Sequence, residues 1–126
     1  MTASPRKKIL IVDDDLAIRR LLEVCLRTLP ADQISAGEGK SALEILRREK
    51  IALVVTDLIM PGVGGFDLIR TMRADAALRD IPVMLLSSMG DPALPAQAEE
   101  AGVQAYFVKP FSPSQMIATA RKLLGL

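Results

Sequence analysis

The sequence predicts an α/β protein: a doubly wound sheet of five parallel strands, each followed by a helix. Three observations carry this reading. Short strand-like runs recur at 8–12, 32–36, 52–56, 83–87 and 105–108. The first, third and fourth are almost continuously apolar, as strands buried on both faces are. The stretches between them have helical spacing or helix boundary signals. Such alternation implies right-handed crossovers, with any site lying beyond the carboxyl ends of the strands.

Each element has its own signal. "KILIV" (8–12) opens the sheet. Residues 16–29 follow as a helix with apolar residues at Ile18, Leu21, Leu22, Cys25 and Leu29, closed by Pro30. "DQISA" (32–36) is more mixed, as edge strands are, and 40–49 is helical after Gly39. "ALVVT" (52–56) leads to Asp57 and a Pro-Gly turn, after which 65–73 reads as a helix. "VMLLS" (83–87) is the fourth strand, and the fourth helix, 95–101, stops at Gly102. "AYFV" (105–108) is the second edge strand. The last helix, 113–124, starts with Ser112 as its cap and Pro113 at its first position.

The 126 residues suit one domain spanning 1–126, with 1–7 as a flexible N-terminal tail; Arg6, Lys7 and Lys8 read as a solvated basic cluster. A net charge of +1 gives no field to attract nucleic acid or an acidic membrane. No apolar run approaches the ~20 residues of a membrane helix, and "ILIV" is too short for a signal peptide. The single cysteine, Cys25, is placed for core packing, which fits a reduced cytoplasm. The chain has no histidine, so the commonest general base and zinc ligand are absent.

The strand ends carry the chemistry. The first ends in Asp13-Asp14-Asp15, the third in Asp57, the fourth in Ser87-Ser88 and the fifth in Lys109. Singly, each has an ordinary role: Asp15 as a helix cap, Asp57 as a turn former, Ser87 as a common strand-end hydroxyl and Lys109 as a solvated group. Together, in a parallel sheet, they meet at one rim. Two like charges about 4 Å apart repel by about 4 kcal/mol at an effective dielectric near 20. Such crowding calls for a cation. Lys109 supplies one, and an all-oxygen cluster suits Mg²⁺. A carboxylate in that setting is equipped as a nucleophile toward phosphorus, with Ser87 donating to a phosphoryl oxygen.

"ILIVDDDLAIRRLL", "VVTDLIMPGVGGFDLIR", "VMLLSS" and "AYFVKPF" together resemble a response-regulator receiver domain of two-component signalling, of the single-domain, chemotaxis-regulator-like kind. The resemblance runs from about residue 8 to 124. It implies a flavodoxin-like (βα)5 fold with strand order 2-1-3-4-5. Asp57 then matches the phosphoacceptor, and Asp13 and Asp14 the acidic pair that binds Mg²⁺, Asp14 being the member that touches the metal directly. The backbone carbonyl of Ile59 matches the third protein ligand. Ser87 matches the hydroxyl that follows the phosphoryl group, Tyr106 the aromatic switch, and Lys109 the family lysine, whose bond to Pro110 is expected to be cis.

The implied function is a phosphorylation switch. A histidine kinase or histidine phosphotransfer protein donates the phosphoryl group, and the output is binding to a downstream protein target or control of a fused effector domain. The domain itself is expected to touch neither nucleic acid nor membrane. It catalyses only its own phosphorylation and dephosphorylation, so it is not a turnover enzyme. Two other classes compete: a Mg²⁺-dependent phosphohydrolase working through Asp57, which needs an acid/base and a substrate pocket the sequence does not show, and a receiver-like module that is never phosphorylated. The chain ends at "KLLGL", and a stand-alone regulator and a piece of a longer one both read this way. Three departures from the family pattern stand out: Ser88 in place of a smaller residue, Glu38 before Gly39, and "MGDPALPAQAEEAG", where Pro92 and Pro95 shorten the fourth helix and leave it mobile.

Overall fold

The computed structural model describes residues 6–88 and 92–126. Its elements run β1 (Lys8–Val12), α1 (Leu16–Leu26), β2 (Asp32–Ala36), α2 (Gly39–Arg48), β3 (Leu53–Asp57), α3 (Gly65–Ala74), β4 (Val83–Ser87), α4 (Leu94–Glu100), β5 (Ala105–Val108) and α5 (Pro113–Leu124). The strands form one parallel sheet in the order β2-β1-β3-β4-β5, as the resemblance implied.

The pleat explains the two-layered core. On one side Ile9, Ile11, Leu53, Val55, Met84 and Leu86 pack with Leu22 and Leu26 of α1 and Met116, Ala120 and Leu124 of α5. On the other, Leu10, Val12, Val54, Val83 and Leu85 pack with α2, α3 and α4 through residues such as Ile45, Leu68, Met72, Leu94 and Ala98. A strand with apolar residues on both faces is therefore buried on both faces.

Helix ends follow their local chemistry. Asp15 caps α1, its carboxylate accepting from the amides of Ala17 (2.8 Å) and Ile18 (3.4 Å). Ser112 caps α5 by accepting from the Gln115 amide, and Gly125 ends that helix at φ 72°. Glu38 precedes α2, but its side chain makes no capping bond to the helix amides. The α4 helix is short, as expected, at seven residues with Pro95 in its first turn, yet Leu94 and Ala98 do anchor it in the core. Met89, Gly90 and Asp91 of the atypical stretch lie outside the described residues.

Three sequence expectations need correction or refinement. The first helix ends at Leu26, not 29. There the Thr28 hydroxyl donates to the Cys25 carbonyl and the Leu29 amide to the Leu26 carbonyl, tightening the chain into a turn before Pro30. The buried stripe of α1 is Leu22, Cys25 and Leu26, whereas Leu21 is 45% exposed at the stripe's edge. The described part of the basic cluster is exposed at Arg6 and Lys7, as a solvated cluster is, but its side chains are not without contacts. Arg6 donates to the carbonyls of Leu29 and Ala31, Lys7 to that of Leu124, and Lys8 lies in β1 with its ammonium 3.4 Å from Glu49. Residues 1–5 lie outside the described residues.

Candidate functional site

The sheet register brings the strand ends together. Val12 pairs with Thr56, so Asp13 emerges beside Asp57; Asp57 pairs with Leu86, and Ser87 with Val108, just before Lys109. Asp57 is the last residue of β3 rather than the first of the following loop, one position further into the sheet than the sequence suggested. Asp13, Asp57 and Ser87 are all buried, while Asp14 is exposed.

Their side chains converge. The Lys109 ammonium lies 3.0 Å from Asp13 Oδ2 and 3.3 Å from Asp57 Oδ1. Asp13, Asp14 and Asp57 each offer a carboxylate oxygen within 4.8 Å of the others. Asp13 Oδ1 accepts from the Asp15 amide (2.9 Å), and Asp57 Oδ1 from the Leu58 amide (2.9 Å). The Lys109 amide donates to the Ser87 carbonyl at 2.7 Å, tying the ends of β4 and β5, and the Lys109–Pro110 bond is cis. Tyr106 is half-buried on β5 against the α2–α4 side of the core. Ile59 stands exposed in the loop after β3.

The electrostatics are those of an anionic pocket with too little internal compensation. Burial and then repulsion from Asp13 push the Asp57 carboxyl above its ordinary proton affinity; Lys109 and the Leu58 amide pull the other way without cancelling this. Burial works against the Lys109 ammonium, but hydrogen bonds and attraction from Asp13 and Asp57 outweigh it, so its pKa is raised. Three carboxylates against one ammonium form a hard, all-oxygen donor set, and its spacing fits a small divalent cation such as Mg²⁺.

Several residues shape this rim without having been singled out in the sequence. The Thr56 hydroxyl donates to the Asp57 carbonyl at 3.0 Å. Gly65 has to be glycine, because a Cβ there would lie 2.5 Å from the Asp57 carbonyl oxygen. Arg19 Nη1 donates to the Asp13 carbonyl at 2.7 Å. None of these follows from spacing; each depends on where a backbone carbonyl lies.

Comparison with known proteins decides the family. Residues 9–121 match the model of the response regulator receiver domain. The chain belongs to that family. This receiver domain is 40% identical over 119 residues to a probable transcriptional regulator, ycf27, of Cyanophora paradoxa, covering 94% of the chain and 48% of the relative. It is 34% identical to the DNA-binding response regulator MtrA of Mycobacterium leprae, covering 94% and 52%. The chain thus spans about half the length of the curated relatives it matches. Among solved structures, a response regulator from Chloroflexus aurantiacus superposes with a TM-score of 0.89 at 28% identity, covering 98% of this chain and 100% of that one. A Francisella response regulator receiver domain gives 0.87 at 26%, covering 94% and 97%. Receiver domains are signalling switches of two-component systems. Among the described residues, no helix is long and apolar enough to cross a membrane.

Proposed function

We propose that this receiver domain takes a phosphoryl group onto Asp57 from the phosphohistidine of a histidine kinase or histidine phosphotransfer protein, and that the transfer changes a protein-binding surface. The observation that carries this is the Lys109 ammonium between the carboxylates of Asp13 and Asp57, with Asp14 close by. Asp57 is buried as the last residue of β3, the central strand, with the Lys109 ammonium beside it, and a carboxylate so placed is equipped as a nucleophile toward phosphorus.

In the transfer an Asp57 carboxylate oxygen bonds to phosphorus while the bond from phosphorus to the imidazole nitrogen breaks. The imidazole keeps the electron pair and takes a proton from water. Lys109 turns toward the new phosphoryl oxygens, and the Ser87 hydroxyl donates to one of them. Mg²⁺, held by Asp13, Asp14, Asp57 and the Ile59 carbonyl, supplies when bound the positive charge that makes an anionic phosphoryl group tolerable here. The space that Ser87 leaves lets Tyr106 turn inward, and the surface of α4 and β5 changes with it. The donor docks beside the rim, where Ile18, Leu21, Pro110, Phe111 and Pro113 form an apolar shelf. The output is binding to a protein target or control of an attached effector, as the transcription-regulator names of longer relatives suggest. The receiver domain has no strong positive field of its own for nucleic acid, and a cytoplasmic setting suits its lone buried thiol.

Incubation with acetyl phosphate and Mg²⁺, followed by intact-mass measurement, tests this. One phosphoryl adduct is expected on the wild type, none with EDTA and none on Asp57→Asn. An adduct that persists in Asp57→Asn would overturn the assignment.

A further inference from the structure

Asp14 poses a question that the rest of the rim does not. Its carboxylate is exposed and receives no hydrogen bond among the described residues. Its direction must therefore come from the two peptide groups that flank it. The Asp14–Asp15 peptide is held by its N–H, which donates to Asp13 Oδ1 at 2.9 Å. The Asp13–Asp14 peptide is held by its carbonyl, which accepts from Arg19 Nη1 at 2.7 Å. We infer that Arg19 is a positioning residue for the acidic pair: it fixes the backbone from which Asp14 reaches the cation site.

The seat of Arg19 is built for this. Its guanidinium lies over Gly37, the residue after β2, where an added Cβ would be 3.0 Å from Nη1 and 3.7 Å from Cζ. The same connection is tied to the rim by the Asp13 amide, which donates to the Ala36 carbonyl at 3.2 Å. Arg19 also occupies the first turn of α1, where the helix dipole disfavours a cation. A purely solvated arginine has no reason to reach back six residues from there.

The inference rests on the proposed cation site, and the sign of the effect separates positioning from simple charge. Removing a positive charge near three carboxylates should strengthen cation binding if charge alone mattered. Loss of a positioning contact should weaken it, as loss of groups that orient metal ligands does, by roughly 10-fold. The experiment measures Mg²⁺ affinity by competition against Mn²⁺, followed by the electron paramagnetic resonance signal of free Mn²⁺. Wild type, Arg19→Met, Arg19→Lys and Gly37→Ala are compared, with the thermal midpoint in EDTA as a check on folding. Arg19→Met is expected to bind Mg²⁺ roughly 10-fold more weakly, Arg19→Lys to recover part of the loss, and Gly37→Ala to weaken binding in the wild type but not further in Arg19→Met. Unchanged or tighter Mg²⁺ binding by a folded Arg19→Met, beside a wild type that binds, would overturn this inference alone. A wild type that binds no Mg²⁺ would overturn the proposed cation site together with it.

Discussion

The two ends of the sheet each hold a partly buried cation, and they treat it in opposite ways. At the amino end, Arg73 of α3 donates to the carbonyls of Arg79 (2.9 Å), Ile81 (2.8 Å) and Gly102 (2.7 Å), and to Gln104 Oε1 (3.3 Å). Gln104 Oε1 also accepts from the Val83 amide at 2.7 Å, so the turn before β4 and the turn before β5 are locked to one side chain. Every acceptor there is neutral. At the carboxyl end, one ammonium faces two buried carboxylates, with a third at the edge. Neutral acceptors finish the first arrangement within the chain. The second carries surplus negative charge that only something from outside can balance. The first is a structural lock; the second has the physical character of a binding site.

That contrast predicts different responses to substitution and to Mg²⁺. The largest loss is expected for Lys109→Met, which leaves buried carboxylates with no ammonium: about 3 kcal/mol in urea unfolding without metal at neutral pH, with part of it regained in Mg²⁺. Arg73→Met should cost about 2 kcal/mol, because several carbonyls lose a charged donor. That loss should be the same with and without Mg²⁺, since among the described residues the acidic group that could hold the ion lies at the other end. A Mg²⁺-dependent loss for Arg73→Met would erase the distinction between the two ends.

Asp57→Asn should move the other way and stabilise the metal-free protein at neutral pH. The gain is on the order of 1 kcal/mol, what remains when charge repulsion is largely offset by Lys109. Its pH dependence follows from the raised proton affinity of Asp57. The folded state keeps a proton that the unfolded chain releases near 3.8. The wild type therefore loses stability as pH rises from there through the folded value. The two proteins should match in acid, diverge through that window and then run parallel, as thermal scans in EDTA at successive pH values would record. The smallest effect is expected for Asp15→Ala, about 1 kcal/mol or less from a lost helix cap. It should leave Mg²⁺ affinity near the wild-type value if capping is all that the Asp15 side chain does.

How much of this was legible beforehand depends on where each signal lies. The sheet was legible because burial on both faces writes continuous apolar runs, and a parallel sheet then carries Asp13, Asp57, Ser87 and Lys109 to one edge whatever the loops do. The boundary of α1 was not, because its periodicity continues to Leu29 while the Thr28 turn ends the helix at Leu26. Leu21 fits the stripe by spacing yet lies at its exposed edge, a matter of how α1 is rotated on the sheet. Arg6 and Lys7 read as tail because their acceptors, Leu29, Ala31 and Leu124, are far away in sequence. Arg19, Gly65 and Arg73 were hidden for a related reason. Each is defined by the backbone of another segment, and no residue pattern announces that.

The relation between acid crowding and the cation is tested by one thermal-unfolding measurement at neutral pH, made on wild type and Asp57→Asn in EDTA and in Mg²⁺. The account predicts that Asp57→Asn melts higher in EDTA, that Mg²⁺ raises the wild-type midpoint in proportion to the logarithm of its concentration once above its dissociation constant, and that Asp57→Asn gains less. A wild type indifferent to Mg²⁺, or an Asp57→Asn protein that is the less stable of the two in EDTA, would contradict it.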